Sequence, residues 1–270
     1  MDKFVNIESV EKQLSAELWE RSLPFNHVVI DGFLNESFAR QIVSEFPSIE
    51  EPRWLEYDSA IENKLLISNW NDFPAPHYQL FSILTSSEFS DFIRSGLGIS
   101  DELYPDPGLH GGGLHCHKNG GFLNPHLDYK QHPKMFMRRY LNLILYCNNE
   151  WESSWGGQLE LWAGDERPER ISRYIQPMFN RAVIFDASRD FSWHGVSRKI
   201  EAPAGICRQS LAVYFLKAEQ ENSDSTDVRR KARFFPRSDQ MNDKEVMNLI
   251  EQRASESTAS LVYQIGKDKG

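Results

Sequence analysis

Between residues 109 and 217 the chain breaks into eight short β-rich runs, separated by turn residues at intervals of roughly 8–12. They span 109–117, 124–129, 140–147, 157–163, 171–176, 181–185, 193–198 and 208–217. This pattern constrains the fold more than any other feature. Eight short strands in one continuous segment fit a double-sheet jelly roll, the class to which cupins belong. The expected fold is therefore α+β: a double-stranded β-helix core with a helix-rich N-terminal part packed on it.

The flanks read differently. Residues 1–24 carry Val10, Leu14, Leu18 and Trp19 near helical spacing, and 25–30 reads as a strand. A helix comes next, with Asn35 as its cap, Phe38, Ile42, Val43 and Phe46 as its apolar stripe, and Pro47 as its stop. Strands are expected at 54–58 and 64–70. Pro74 and Pro76 interrupt the segment after them, and 81–95 returns to helix with Gly96 as its C-terminal cap. The turn cluster Pro105-Asp106-Pro107-Gly108 marks a boundary. After Lys217 come an acidic loop at 219–227 and a basic cluster from Arg229 to Arg237, expected to be a solvated surface. Asn242 to Glu245 resembles a capping box before a short helix, and the last fifteen residues are expected to fray. The expected organisation is thus 1–108 as a support region, 109–218 as the core, and 219–270 as a loop and short helix.

Composition limits partners and compartment. The net charge of −9 argues against general binding to nucleic acid or anionic membranes. No stretch approaches the ~20 apolar residues of a membrane span, and the N-terminus has no apolar run of signal-peptide length. Cys116, Cys147 and Cys207 form no CxxC pair and are odd in number, so buried free thiols in a reducing cytoplasm are expected. That compartment also suits an iron site that must stay ferrous.

The chemistry is concentrated at His126-Leu127-Asp128. On a strand, residues two apart point to the same side, which sets an imidazole nitrogen and a carboxylate oxygen at adjacent vertices of a metal octahedron. A further histidine completes a 2-His-1-carboxylate triad, which leaves positions on Fe(II) open for a cosubstrate and O₂. His194 is the best placed. A jelly roll returns a strand some 65 residues later across from the first pair, whereas His110, His115 and His117 precede it and His132 lies in the adjoining loop. Arg208 and Ser210 share a face of the last strand, where a guanidinium fork and a hydroxyl suit the distal carboxylate of 2-oxoglutarate. On 140–147, Asn142, Ile144 and Tyr146 share one face, while Leu141, Leu143 and Leu145 share the other. The leucines suit the core, and Asn142 and Tyr146 suit a polar pocket in which the phenol donates.

These residues resemble a family. Arg139-x-x-Asn142-x-x-x-Tyr146-x-Asn148, Trp151 and Gly156-Gly157-Gln158-Leu159-Glu160-Leu161 look like the corresponding stretch of the prolyl 4-hydroxylase-like branch of Fe(II)/2-oxoglutarate dioxygenases. His126-Leu127-Asp128, His194 and Arg208-x-Ser210 match its motifs in order. Asn142 stands where many members have threonine, and Ala202-Pro203-Ala204-Gly205 lengthens the gap between His194 and Arg208. The resemblance implies Fe(II) on His126, Asp128 and His194, and 2-oxoglutarate chelated to it with Arg208, Ser210 and Tyr146 at its far end. It implies O₂ as oxidant and admits ascorbate as an auxiliary reductant. An intact Asp128 implies hydroxylation, since related halogenases replace that carboxylate with a small residue. The products are then succinate, CO₂ and a hydroxylated small molecule, sugar or amino-acid-derived substrate.

His115 and His117 share a strand face, and if it looks inward they reach cosubstrate or substrate; His117 is assigned to the cosubstrate. The loops 130–138 and 186–192 flank the ligands and are expected to form the substrate mouth. Trp193 is expected to pack. Three other readings stay open: hydroxylation of a prolyl residue in a peptide or protein, a zinc or manganese enzyme of cupin type, and a jelly-roll module that binds without turnover. Only the first of these also needs a carboxylate clamp facing the metal.

Overall fold

The computed structural model describes residues 1–198, 200–218 and 231–255. The expected acidic loop, Arg229, Arg230 and the last fifteen residues lie outside them. The helices are Ile7–Gln13 (α1), Ala16–Arg21 (α2), Glu36–Ser44 (α3), Ala75–Leu84 (α4), Ser87–Gly96 (α5) and Lys244–Ser255 (α6). The strands are His27–Asp31 (β1), Leu55–Asp58 (β2), Glu62–Ile67 (β3), Tyr104–Pro105 (β4), Gly113–His117 (β5), Phe122–Leu127 (β6) and Arg138–Tyr146 (β7). Then come Leu159–Ala163 (β8), Arg170–Ile175 (β9), Arg181–Asp186 (β10), His194–Val196 (β11), Arg208–Lys217 (β12) and Arg233–Phe234 (β13).

All pair antiparallel in one curled sheet, in the order β1-β10-β7-β12-β5-β3-β6-β11-β8-β9. β2 joins at β3, β4 at β12 and β13 at β6. The eight expected core runs all appear as strands. The result is a double-stranded β-helix with helices laid on one face, as expected for an α+β chain. The sheet nonetheless crosses the boundaries drawn at 108 and 218, because β1 to β4 and β13 are hydrogen-bonded into it. β3 is the least expected member: it lies between β5 and β6 and so links the two halves of the roll.

Period-two patterning decides which face is which. Leu141, Leu143 and Leu145 of β7 and Leu211, Val213 and Phe215 of β12 are buried together with Phe38 and Ile42 of α3, Leu80, Phe81 and Leu84 of α4, and Phe89 and Ile93 of α5. Their strand neighbours Asn142, Ile144, Ser210, Ala212 and Tyr214 face a cavity on the other side. A one-residue slip would turn the leucines into the cavity and the polar residues into the helices, so burial fixes the register.

Local differences from the sequence reading have physical causes. The lead-in splits at Leu14–Ser15 because the Ser15 hydroxyl caps α2. Pro76 does not interrupt a helix; it sits in the first turn of α4, where its missing N–H costs nothing. The expected 81–95 helix is two helices, because Ser86 caps α5 through the Phe89 amide. Its stop is Gly98, with φ +67°, and not Gly96, which is still helical. Asn35 precedes α3, but its side chain donates to the Asp2 carbonyl instead of capping. Asp243, not Asn242, accepts the first amides of α6.

One glycine of the Gly111-Gly112-Gly113 run has an evident role. At Gly113, with φ +116°, an added Cβ would lie 2.2 Å from the Ile67 carbonyl oxygen. β5 can lie between β3 and β12 only with no side chain there. All three cysteines are buried free thiols. No helix among the described residues is long and apolar enough to cross a membrane.

Candidate active site

His126 and His194 are brought together by strand pairing alone, since they are direct partners in the β6–β11 ladder. Their rings lie 4.3 Å apart. Asp128, just past the end of β6, closes the group: its two oxygens lie 3.7 Å from His126 Nε2 and 3.8 Å from His194 Nε2. One ligand atom from each residue falls within 4.8 Å of the others, and all three residues are buried. The strand pair depends on Gly195, where a Cβ would meet the Leu123 carbonyl oxygen at 2.8 Å.

Hydrogen bonds select the ligating atoms. His126 Nδ1 pairs with the Asn124 carbonyl at 3.0 Å, and His194 Nδ1 pairs with the Ser192 carbonyl at 2.9 Å. Each Nδ1 must then carry the proton, which leaves both Nε2 lone pairs aimed at the shared point. Burial, reinforced by His194, pushes the pKa of His126 down to about 3, so this ring is neutral as a metal ligand requires. Burial alone would raise the Asp128 pKa, but His194, Arg139 and His126 together hold it below the ordinary value, with the Tyr214 hydroxyl donating to it. Phe234 of β13 stacks on the His126 ring at 5.3 Å, and Phe185 meets His194 edge-on at 4.7 Å. Two imidazoles with Nε2 turned to one point and one carboxylate, all buried, suit Fe(II).

Arg208 lies on the same cavity wall, one row over. Its Nε donates to the Gly157 carbonyl at 2.7 Å, and its terminal nitrogens reach Ser210 Oγ and Tyr146 Oη, each at 3.4 Å. It is 2% exposed, and among the described residues no carboxylate pairs with it. A buried guanidinium held by neutral groups alone is a costly arrangement unless an anion completes it. Ladder pairing sets Ser210 opposite Tyr146 on one side and His115 on the other, and Arg208 opposite His117. Burial raises the Tyr146 pKa, which keeps its phenol a donor. Both ring nitrogens of His117, His115 Nε2 and Asn142 Oδ1 are buried without a hydrogen-bond partner. The rings stay neutral, because burial pushes His115 down to about 3 and His117 well below its usual value. Such atoms on a cavity lining fit a polar ligand such as 2-oxoglutarate. The structure thus brings together every site residue expected from the sequence: His126, Asp128, His194, Arg208, Ser210, Tyr146, Asn142 and His117.

The expected mouth is not where the cavity is lined. Neither 130–138 nor 186–192 contributes a lining residue. His132 is buried and accepts from the Lys134 and Met135 amides, while Asp186 is buried and accepts from Ser188 and Arg189. Both loops are therefore folded on themselves. Instead Tyr57, Glu62 and Lys64 from β2 and β3, with Ala232, Phe234 and Arg253 from the C-terminal segment, line the cavity of about 160 Å³.

Sequence reasoning also missed two neighbours of Asp128. Arg139 Nη1 lies 3.7 Å from its carboxylate, and the Arg139 guanidinium is sandwiched 3.5 Å from each of the Tyr129 and Tyr214 rings. Tyr214 shares its strand face with Ser210, so the alternation along β12 could have found it. The basic cluster was expected to be solvated, yet the Arg237 side chain is only 11% exposed and pairs with the buried Glu160 at 2.9 Å. It also donates to the carbonyls of Leu123 and Val196. Trp193 packs, fully buried, with its indole N–H on the Asp165 carbonyl.

Comparison with known proteins agrees with this geometry. Residues 112–216 match the 2OG-Fe(II) oxygenase superfamily. A prolyl-4-hydroxylase from Pseudomonas putida superposes with a TM-score of 0.53 at 19% identity, over 75% of this chain and 98% of that one. A Trichoplax adhaerens prolyl hydroxylase, solved with a hypoxia-inducible-factor oxygen-degradation-domain peptide fragment, gives 0.52 at 17% identity, over 78% and 91%. A Phytophthora capsici prolyl 4-hydroxylase gives 0.51 at 18%, over 92% and 75%. Residues 112–216 therefore form a 2OG-Fe(II) oxygenase domain in the fold of the prolyl 4-hydroxylases it superposes on, and its His126, Asp128 and His194 fit the Fe(II) that this superfamily uses with 2-oxoglutarate and O₂.

Proposed function

We propose that the protein hydroxylates a small molecule, a sugar or an amino-acid-derived compound, with succinate and CO₂ as co-products. In this reading His126, Asp128 and His194 hold the iron. Arg208, Ser210 and Tyr146 bind the distal carboxylate of 2-oxoglutarate, and Asn142 and His117 line its flank. The observation that carries the reading is the buried Arg208 cation, which has no carboxylate partner among the described residues and faces the same cavity as the triad.

Bound iron supplies the radical chemistry through which O₂ and the oxo-acid oxidise a C–H bond. The chain's own residues do the rest. Arg208 neutralises and orients the distal carboxylate with two parallel donors and the aid of Ser210. Tyr146 donates to the same group and closes off its far side. Phe234 and Phe185 cover the imidazoles and keep water from the metal. Asp128 occupies the position that a halide would need.

A small substrate is favoured over a peptide because the cavity is only about 160 Å³ and Phe234 and Arg253 of the C-terminal segment add to its lining. The test is anaerobic addition of Fe(II) and 2-oxoglutarate, and then of O₂. A weak visible charge-transfer band and slow release of succinate are expected, and chelation of the iron abolishes both. Absence of the band in the intact protein overturns the oxygenase site as drawn. Stimulation of succinate release by proline-rich peptides, with a gain of one oxygen by mass spectrometry, would move the substrate to the peptide class.

A further inference from the structure

The charges that line the cavity leave a surplus that the metal and cosubstrate do not cancel. Four cations among the described residues line the cavity (Lys64, Arg139, Arg208 and Arg253), against two carboxylates, Glu62 and Asp128. The surplus is two positive charges. Fe(II) adds two and doubly ionised 2-oxoglutarate removes two, so the loaded site keeps the same surplus. This stands inside a chain whose net charge is −9.

Lys64 is the cation best placed to use it. Tyr57 pairs with Lys64 across β2 and β3, and Leu65 pairs with Cys116 across β3 and β5, which sets Lys64 beside His117. Arg208 pairs with His117 across β5 and β12. Tyr57, Lys64, His117 and Arg208 therefore lie abreast on four neighbouring strands, in one row from the outer wall to the proposed cosubstrate clamp. The Lys64 ammonium is 2.9 Å from Glu62 Oε2 and 5.2 Å from the centre of the Tyr57 ring. Glu62 is 2% exposed. Taking such a pair out of water seldom stabilises a fold, so its place on a cavity wall points to a ligand and not to stability. Between Lys64 and Arg208, His117 has two unpartnered ring nitrogens, is almost wholly buried and lines the same cavity.

We propose that the substrate is a small carboxylate, its acid group docked on the Lys64 ammonium with Glu62 orienting that ammonium, and its reacting carbon turned toward the triad. This rests on the function proposed above. Arg253 of α6, whose guanidinium lies 5.7 Å from the Phe234 ring, adds to the field that draws the acid in.

The test uses the Fe(II)·2-oxoglutarate complex under nitrogen. The probes are two- to six-carbon amino and hydroxy carboxylic acids, their carboxamides and the corresponding phosphates. Binding is read from perturbation of the charge-transfer band. At least one acid should bind at least tenfold more tightly than its amide and its phosphate. Lys64→Met should lose that preference and Lys64→Arg should retain most of it. The pair Glu62→Gln with Lys64→Met removes both charges, so a loss there cannot be blamed on a stranded carboxylate. The proposal is overturned if no acid perturbs the band, if amides bind as well as acids, or if Lys64→Met keeps the preference. Tighter binding of the phosphates moves the anion to that class and overturns the carboxylate. Absence of the band itself, before any probe is added, instead overturns the oxygenase site.

Discussion

At the scale of single residues, the two halves of the site differ in kind. The two triad histidines are positioned by backbone acceptors, the carbonyls of Asn124 and Ser192, so their geometry is built into the strands. Arg208 is held by a carbonyl and two hydroxyls, and its charge is balanced only when an anion binds. Arg208→Met should therefore weaken 2-oxoglutarate by about a hundredfold or more, the usual cost of removing one partner of a buried charge pair. The same change should leave Fe(II) affinity nearly unaltered and should not lower the metal-free protein's stability. Anaerobic titrations and urea unfolding check both halves; a large loss of stability would mean that Arg208 is structural. Tyr214 acts one step further out, through Asp128. Tyr214→Phe keeps the ring over Arg139 but removes the hydroxyl, and Fe(II) affinity by equilibrium dialysis should fall by roughly tenfold.

At the scale of elements, the C-terminal segment belongs to the site as much as the central strands do. β13 lays Phe234 on His126. Gln240 accepts from the Asn124 side chain, whose backbone carbonyl holds His126 Nδ1. Arg237 ties β6, β8 and β11 together through Leu123, Glu160 and Val196. Arg237→Met strands Glu160, which is buried, and should cost about 3–5 kcal/mol of stability in denaturant unfolding. Adding Glu160→Gln should restore much of it, and a double variant no better than the single one would refute the pairing. None of this was legible from a basic cluster in sequence, because a run of arginines looks the same whether solvent or a buried glutamate lies opposite. By contrast, the alternation on β7 assigned its two faces correctly from sequence, since the leucine side and the Asn142–Tyr146 side cannot exchange without burying polar groups against the helices.

At the scale of the whole molecule, the burial of neutral histidines makes the fold acid-sensitive. His77 in α4 is fully buried against Phe46, and burial pushes its pKa down to about 4. An unfolded histidine titrates near 6.5, so between those values the unfolded chain binds more protons than the folded one. Stability from this group is complete above about pH 6.5 and is lost as pH falls toward 4, by up to about 3 kcal/mol. Burial acts in the same direction on His27 and His110. Urea midpoints of the metal-free protein between pH 7 and 4 should fall with acid, and His77→Leu should give a shallower slope. Equal slopes would show that His77 is not the neutral buried group described.

What the sequence by itself determined was whatever depends on local order. The period of two and the turn spacing specified the strands of the roll, and the pairs at His126/Asp128 and Arg208/Ser210 specified ligands two apart on one face. The family resemblance then named the metal and cosubstrate. Tertiary structure alone decided which distant strands lie beside the site. That β3 enters the sheet between β5 and β6, and so brings Glu62 and Lys64 to the cavity, depends on a non-local pairing that leaves no period in sequence. The placing of Phe234, Arg237 and Arg253 likewise comes from where β13 and α6 dock. A charged side chain reads alike on a solvated loop and on a cavity wall, and only the packing opposite it separates the two.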